Sequence, residues 1–299
     1  MKEINLGCLS NHADEISKTI VIEISLLAKL NHQNIIKYYG AFRKGNHLNI
    51  LLENCIGGSL SSLLKTYSSF KESLIKKYTL QILLGIEYLH SHNIIHRDIK
   101  CANILVTREG ICRLSDFGGA KIIKDAYDLT KQTFEGTPNW IAPETVRLNK
   151  STRFSDIWSI GCTVLEMFNG FPPWSEHKNQ LEVLSCIYKC KEPPPIPEEA
   201  SEELQDFLKK CLVIEPKKRW NVYQLLRHPF IVNGDNIEKS YTGTVRTVDN
   251  LTETNMLIKE RKLILKDENE QKRKCCEEIN DAVLEVKCEK KKLTSDNDQ

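Results

Sequence analysis

The stretch His96-Arg97-Asp98-Ile99-Lys100-Cys101-Ala102-Asn103, followed thirteen residues after Asn103 by Asp116-Phe117-Gly118, decides how this chain is read. It lies between two apolar runs, Ile94-Ile95 before and Ile104-Leu105-Val106 after, so a dense polar cluster is strung between short strands. Phosphoryl transfer needs a carboxylate to accept a hydroxyl proton, a cation to offset phosphoryl charge, and hard oxygen ligands for magnesium. Asp98 suits the first task, Lys100 the second, and Asn103 with Asp116 the third. Phe117-Gly118 supplies an apolar anchor and a flexible hinge beside the Asp116 carboxylate. Each residue alone is an ordinary loop residue. The ordered set in this apolar frame is not.

Composition narrows the remaining classes. The 299 residues carry 42 Lys plus Arg against 40 Asp plus Glu, a net charge of +2, which argues against a dedicated nucleic-acid binder. No apolar run approaches the roughly 20 residues that span a bilayer, and the N-terminus lacks the apolar core of a secretory signal. Eleven cysteines are scattered without a C-x-x-C pair, and Cys186/Cys190 and Cys275-Cys276 fit neither a zinc ribbon nor a disulfide framework. They read as reduced thiols, and the chain is expected in the cytoplasm.

Along the chain, residues 2–6 and 47–53 read as strands. Ile20, Ile24, Leu27 and Leu30 have the spacing of a helix buried on one face. A longer helix is expected from Leu74 to His90, with Leu80, Leu83, Ile86 (or Leu84) and Leu89 on one side. The segment 155–169 is apolar almost all round, which predicts a buried helix. Glu192-Pro193-Pro194-Pro195 must be a loop, and 202–213 and 221–227 are expected helices. After Val232 the composition shifts to Lys and Glu with few aromatics. Residues 233–299 are read as a charged tail, helical or disordered, with a short coiled coil as the alternative and protein interaction as its expected use.

The catalytic-loop and magnesium-loop pair resembles that of the eukaryotic protein kinases, and the likeness runs in the family's order from residue 2 to about 230. It implies an α+β, bilobal fold: a partial small lobe over 1–55 and a mostly helical large lobe over 56–232. It also implies ATP and Mg2+ as cofactors. Lys100, two residues after the expected base Asp98, is typical of serine/threonine kinases. Thr137, in Gly136-Thr137-Pro138-Asn139-Trp140-Ile141-Ala142-Pro143-Glu144, fits the same specificity. The resemblance further implies that Glu144 pairs with Arg219 and that Asp156 holds the catalytic-loop backbone. Asn34-Ile35-Ile36-Lys37-Tyr38-Tyr39-Gly40, Gly57-Gly58-Ser59-Leu60 and Pro172-Pro173-Trp174-Ser175 resemble the MAP kinase kinase kinase group, whose substrates are MAP kinase kinases. Asn139, in place of an aromatic residue, and Gly119-Ala120 after Asp116-Phe117-Gly118 depart from the commonest pattern.

The same resemblance assigns further positions. Lys2 corresponds to the lysine that contacts the ATP phosphates and Glu23, thirteen residues before Ile36, to its partner. The backbones of Glu53 and Cys55 would meet the adenine, with Leu52 as gatekeeper and Leu105 beneath it. Arg97 beside the base calls for an anion, which a phosphate on Thr133 would supply, with Thr130 as runner-up and Thr137 nearby. No G-x-G-x-x-G precedes Lys2, so the small lobe is expected to be truncated before its lysine-bearing strand and ATP to be poorly oriented. The readings are an internal methionine of a longer gene, or a short form that acts as a catalytically weak scaffold.

Overall fold

Lys2–Asn5 (β1), Tyr38–Lys44 (β2) and His47–Leu52 (β3) form an antiparallel sheet in the order β1-β3-β2, with Lys2 opposite Ile50 and Phe42 opposite Asn49. This computed structural model describes residues 2–5, 24, 26–45, 47–122, 138–177 and 179–232. Those residues divide into two compact units, one built from residues of 2–31 and 37–54, the other from 32–36 and 55–232. Glu23, Thr130, Thr133, Thr137 and the tail 233–299 lie outside the described residues.

In the first unit Ile24, Leu48 and Ile50 make a small core, with Ile4, Tyr38, Ala41 and Leu52 packed against it. Both expected strands are present. The strand Tyr38–Lys44 was not expected, and its sequence explains why. Gly40 interrupts the run, the register shifts between Tyr38 and Gly40, and burial does not alternate cleanly. At its end Gly45 takes a left-handed φ of +59°, the conformation that a tight hairpin turn needs.

The second unit is mainly helical. Leu60–Tyr67 (α1) starts at Ser59, whose side chain accepts the Ser62 amide, and it buries Leu60 and Leu64. Glu72–Ser91 (α2) is the expected long helix, and Leu83, Ile86 and Leu89 of the expected face are buried. Ile75, Ile82, Leu83, Ile86 and Leu89 are buried, whereas Leu80 and Leu84 are only half-buried. Ile94–Ile95 (β4), Ile104–Val106 (β5), Cys112–Leu114 (β6) and Lys121–Ile122 (β7) form two antiparallel ribbons, β4-β7 and β5-β6. Pro143–Leu148 (α3) leads to Arg153–Asn169 (α4), whose residues 155–167 are all buried.

Helix α4 starts at a Thr152/Ser155 capping box and stops at Gly170, φ +85°. A Cβ there would come within 2.0 Å of the Ser68 carbonyl oxygen, so only glycine fits. Gln180–Lys189 (α5), Glu202–Cys211 (α6), Val222–Leu225 (α7) and Pro229–Val232 (α8) complete the described helices. Helices α1 and α5 were not expected, although α5 carries its signal in the Asn179 cap and the buried pair Val183 and Ile187.

Candidate active site

The two ribbons fix the site. Ile95 pairs with Lys121 and Ile104 with Leu114, so residues 96–103 and 115–120 are strung side by side between the same ribbon ends. The Ser115 amide and hydroxyl both donate to the Asn103 carbonyl at 2.9 Å, tying the second segment to the first. Phe117 is fully buried, and its ring centroid lies 5.0 Å from that of His96. A Cβ on Gly119 would sit 3.7 Å from the His96 carbonyl oxygen and 3.9 Å from the Asp98 Cβ, an ordinary contact. A side chain at this position would therefore touch the loop, and Gly119 leaves that space clear.

Within the first segment three expected residues converge on one oxygen. Asn103 Nδ2 donates to Asp98 Oδ2 at 2.6 Å and to the Asp98 carbonyl at 2.9 Å, while Lys100 Nζ lies 3.0 Å from the same Oδ2. Among the described residues nothing bonds to Asp98 Oδ1, which can therefore take a proton. Asn103 spends its amide N–H groups on Asp98, which leaves its side-chain carbonyl oxygen as a hard acceptor. Asp116 is exposed and takes a left-handed backbone, φ 60°, between Ser115 and the buried anchor Phe117. Its carboxylate acts electrostatically on His96, as do those of Asp98 and Asp156. Burial nevertheless holds the His96 imidazole below its ordinary value, so the ring is a neutral packing element.

The loop conformation is held from beneath. Asp156, 1% exposed, accepts the amides of His96 at 3.0 Å and Arg97 at 2.9 Å, and its Oδ2 lies 2.8 Å from His90 Nε2. Burial alone would raise the Asp156 carboxyl. The bond and charge of His90, with the Arg97 amide, outweigh it and leave the group below the usual carboxylate range. Arg97 adopts φ 72°, a strained value for a residue with a Cβ, and its Nε is buried with no acceptor among the described residues.

A second support joins α4 to the turn 138–140. Glu166 Oε2 accepts Cys101 N at 3.2 Å and Trp140 Nε1 at 2.9 Å. Burial raises the Glu166 carboxyl, against the pull of those bonds and of Lys100. Asn139 is buried and donates to the Pro173 carbonyl at 2.6 Å, a bond that a phenylalanine there could not make. The expected Glu144–Arg219 pair is present and bidentate, at 2.8 and 3.1 Å, with the guanidinium also donating to the Val213 carbonyl. His90 and Glu166 were missed. Their signals were a histidine on the buried face of α2, and a carboxylate inside a helix apolar almost all round.

The other expected residues are placed as follows. Cys55 and Leu105 belong to the second unit: the Cys55 carbonyl accepts the Gly58 amide at 3.1 Å, and Leu105 is half-buried opposite Arg113. Gly57 lies against Val106, where an added Cβ would meet the carbonyl oxygen at 2.7 Å. Lys2 and Glu53 belong to the first unit, where the Glu53 amide donates to the Lys37 carbonyl at 2.8 Å.

Among the described residues no cluster of three or more His, Cys, Asp or Glu side chains could hold a metal alone. Asn103 and Asp116 instead supply two hard oxygen donors on adjacent segments, the sparse set that suits an ion completed by phosphate and water. No described helix is long and apolar enough to cross a membrane.

Comparison with known proteins agrees with this geometry. The family model described as protein kinase domain matches residues 1–231. Mitogen-activated protein kinase kinase kinase 3 of Arabidopsis thaliana is 48% identical over 210 residues, covering 70% of this chain and 32% of that protein. Mitogen-activated protein kinase kinase kinase ANP1 of the same plant is 44% identical over 231 residues, covering 77% and 34%. Mitogen-activated protein kinase kinase kinase A of Dictyostelium discoideum is 44% identical over 217 residues, covering 72% and 23%. The chain thus spans about a third or less of the length of these relatives.

Proposed function

This chain belongs to the protein kinase domain family, and from that membership we propose that it transfers the ATP γ-phosphate to serine or threonine of a protein. The observation that carries the reading is the convergence of Lys100 and Asn103 on Asp98 Oδ2, which leaves Oδ1 for a hydroxyl proton. Asp98 acts as the base. The Lys100 cation offsets charge on the transferring phosphoryl group; the acceptor oxygen attacks the γ-phosphorus as its proton passes to Asp98, and the bond to the β–γ bridging oxygen breaks to release ADP. Asn103 and Asp116 would hold magnesium, which supplies charge neutralisation at the phosphate oxygens when bound. Lys2, Glu23, Glu53, Cys55 and Leu105 are assigned to the nucleotide. The relatives are named mitogen-activated protein kinase kinase kinases, which supports MAP kinase kinases as the substrates; the cytoplasm is the compartment proposed for the encounter.

Arg97 supports a regulatory role for the activation segment. Its buried Nε, which has no acceptor among the described residues, is suited to a phosphate, and Thr133 is the residue assigned to carry it, with Thr137 in the same segment. The test is transfer of labelled phosphate from ATP to a MAP kinase kinase by the 299-residue chain, with and without magnesium. Incorporation should require magnesium and vanish in Asp116→Asn. Incorporation that persists without magnesium, or in that variant, would refute the assignment.

A further inference from the structure

Of the seven described cysteines, Cys101, Cys112, Cys162 and Cys211 are buried, while Cys55, Cys186 and Cys190 are half-buried. The last two belong to one element: Cys186 lies near the end of α5, and Cys190 is the residue that closes it. Four helical residues advance about 6 Å along the axis and overshoot one turn by only about 40°, so both side chains share a face. Their positions are fixed from two sides. The Cys190 thiol donates to the Ile187 carbonyl at 3.1 Å, which turns the sulfur back over the preceding turn. From α3, Arg147 donates to the Tyr188 carbonyl at 2.9 Å, to the Cys190 carbonyl, and to Cys190 Sγ at 3.8 Å. The guanidinium thus caps the open end of α5 and holds its final turn.

Spacing decides what such a pair can hold. Side chains four apart on a helix have Cβ atoms about 5–6 Å apart, wider than the roughly 3.5–4.5 Å of a disulfide. One S–S bond of about 2.05 Å does not close that gap, whereas a bridging atom with two bonds of about 2.3 Å, as in a zinc thiolate, does. Zinc itself takes four ligands, and among the described residues no group of three or more His, Cys, Asp or Glu side chains could hold a metal. Metal ions also bind thiolates. Burial pushes the Cys186 thiol up, with Glu176 adding to it; burial also pushes Cys190 up, against the pull of Arg147. A trivalent arsenical takes two thiols, in their protonated form. We propose that Cys186 and Cys190 form a dithiol site for a trivalent arsenical, R–As(OH)2. Two S–H and two As–O bonds break, two As–S bonds form, and the protons leave in two waters, with arsenic trivalent throughout. The site is independent of the kinase reading.

The probe is phenylarsine oxide, added to the reduced full chain and followed by intact-mass spectrometry and peptide mapping. Cys275 and Cys276 are adjacent in sequence and offer a competing dithiol, so the parent for the test is the Cys275→Ser, Cys276→Ser chain. That parent should bind one phenylarsenic group that survives excess glutathione, a monothiol, and is removed by ethanedithiol. Mapping should place it on the peptide that carries both Cys186 and Cys190. Cys186→Ser and Cys190→Ser should each weaken binding by about 10²–10⁴-fold, the usual gain from a second linked contact. Both changes replace a half-buried thiol by a hydroxyl, and two independent variants keep the test decisive if one of them fails to fold. Binding as tight in a folded serine variant as in the parent, a group mapped to other cysteines, or loss of the group to glutathione would each overturn the proposal.

Discussion

Replacing Asp156 by asparagine isolates the support beneath the Asp98 loop. The carboxylate accepts three donors: the His96 amide at 3.0 Å, the Arg97 amide at 2.9 Å and His90 Nε2 at 2.8 Å. An amide of the same shape offers one oxygen. With that oxygen kept on the Arg97 amide, its NH2 faces the His96 N–H, while His90 adapts by changing tautomer. One buried donor then lacks a partner, at about 1–3 kcal/mol, and the surviving bond loses roughly 1 kcal/mol of charge assistance. A total near 2–4 kcal/mol corresponds to a fall in Tm of about 4–16 °C for a unit of this size. The kinetic consequence follows from Arg97. Its φ of 72° stores about 1–3 kcal/mol, comparable with the interaction removed, so the backbone relaxes and carries Asp98 with it. Misplacement by about 1 Å costs on the order of a hundredfold. Thermal unfolding and steady-state phosphorylation of a protein substrate should therefore show a lower Tm and kcat down about a hundredfold, with ATP affinity retained. A folded Asp156→Asn protein with wild-type kcat would refute the claim that this carboxylate holds the loop in working order.

Arg219→Met should cost about 3–5 kcal/mol in urea unfolding, because it strands the buried Glu144 carboxylate and removes the donors to Val213; a cost below about 1 kcal/mol would contradict the buried-pair account. Gly161→Ala should destabilise by about 1–3 kcal/mol, since the new Cβ would lie 2.8 Å from Leu212 Cδ2 and 2.9 Å from Cys211 Cβ, and an unchanged Tm would count against that packing. Asp156 is held below its unfolded value of about 3.9, so its contribution is present above that pH and lost as pH falls through the folded value. Acid unfolding followed by circular dichroism should thus be steeper in wild type below about pH 4 than in Asp156→Asn.

The site was legible where chemistry demands particular residues in order. Asp98, Lys100, Asn103 and Asp116 needed only their sequence and the apolar runs around them, and the ribbon registers place both segments side by side. Helix α4 was legible because apolar residues surround it. What escaped was context. The Tyr38–Lys44 strand has a glycine and a register shift where a clean alternation would have marked it. The expected face of α2 holds at Leu83, Ile86 and Leu89 but not at Leu80, and the buried set also takes in Ile75 and Ile82 because the helix packs against both α4 and β6. His90 and Glu166 act through bonds to residues more than 60 positions away, which no local spacing encodes.

The central claim is that Asp98 is the base that takes the acceptor proton. The direct measurement is single-turnover phosphate transfer by Asp98→Asn in an otherwise intact chain, with nucleotide binding measured alongside. The account predicts unchanged magnesium-nucleotide affinity and transfer slowed by about 10²–10⁴-fold, the usual worth of a general base. Transfer at the wild-type rate, with the variant folded and nucleotide bound, would contradict it.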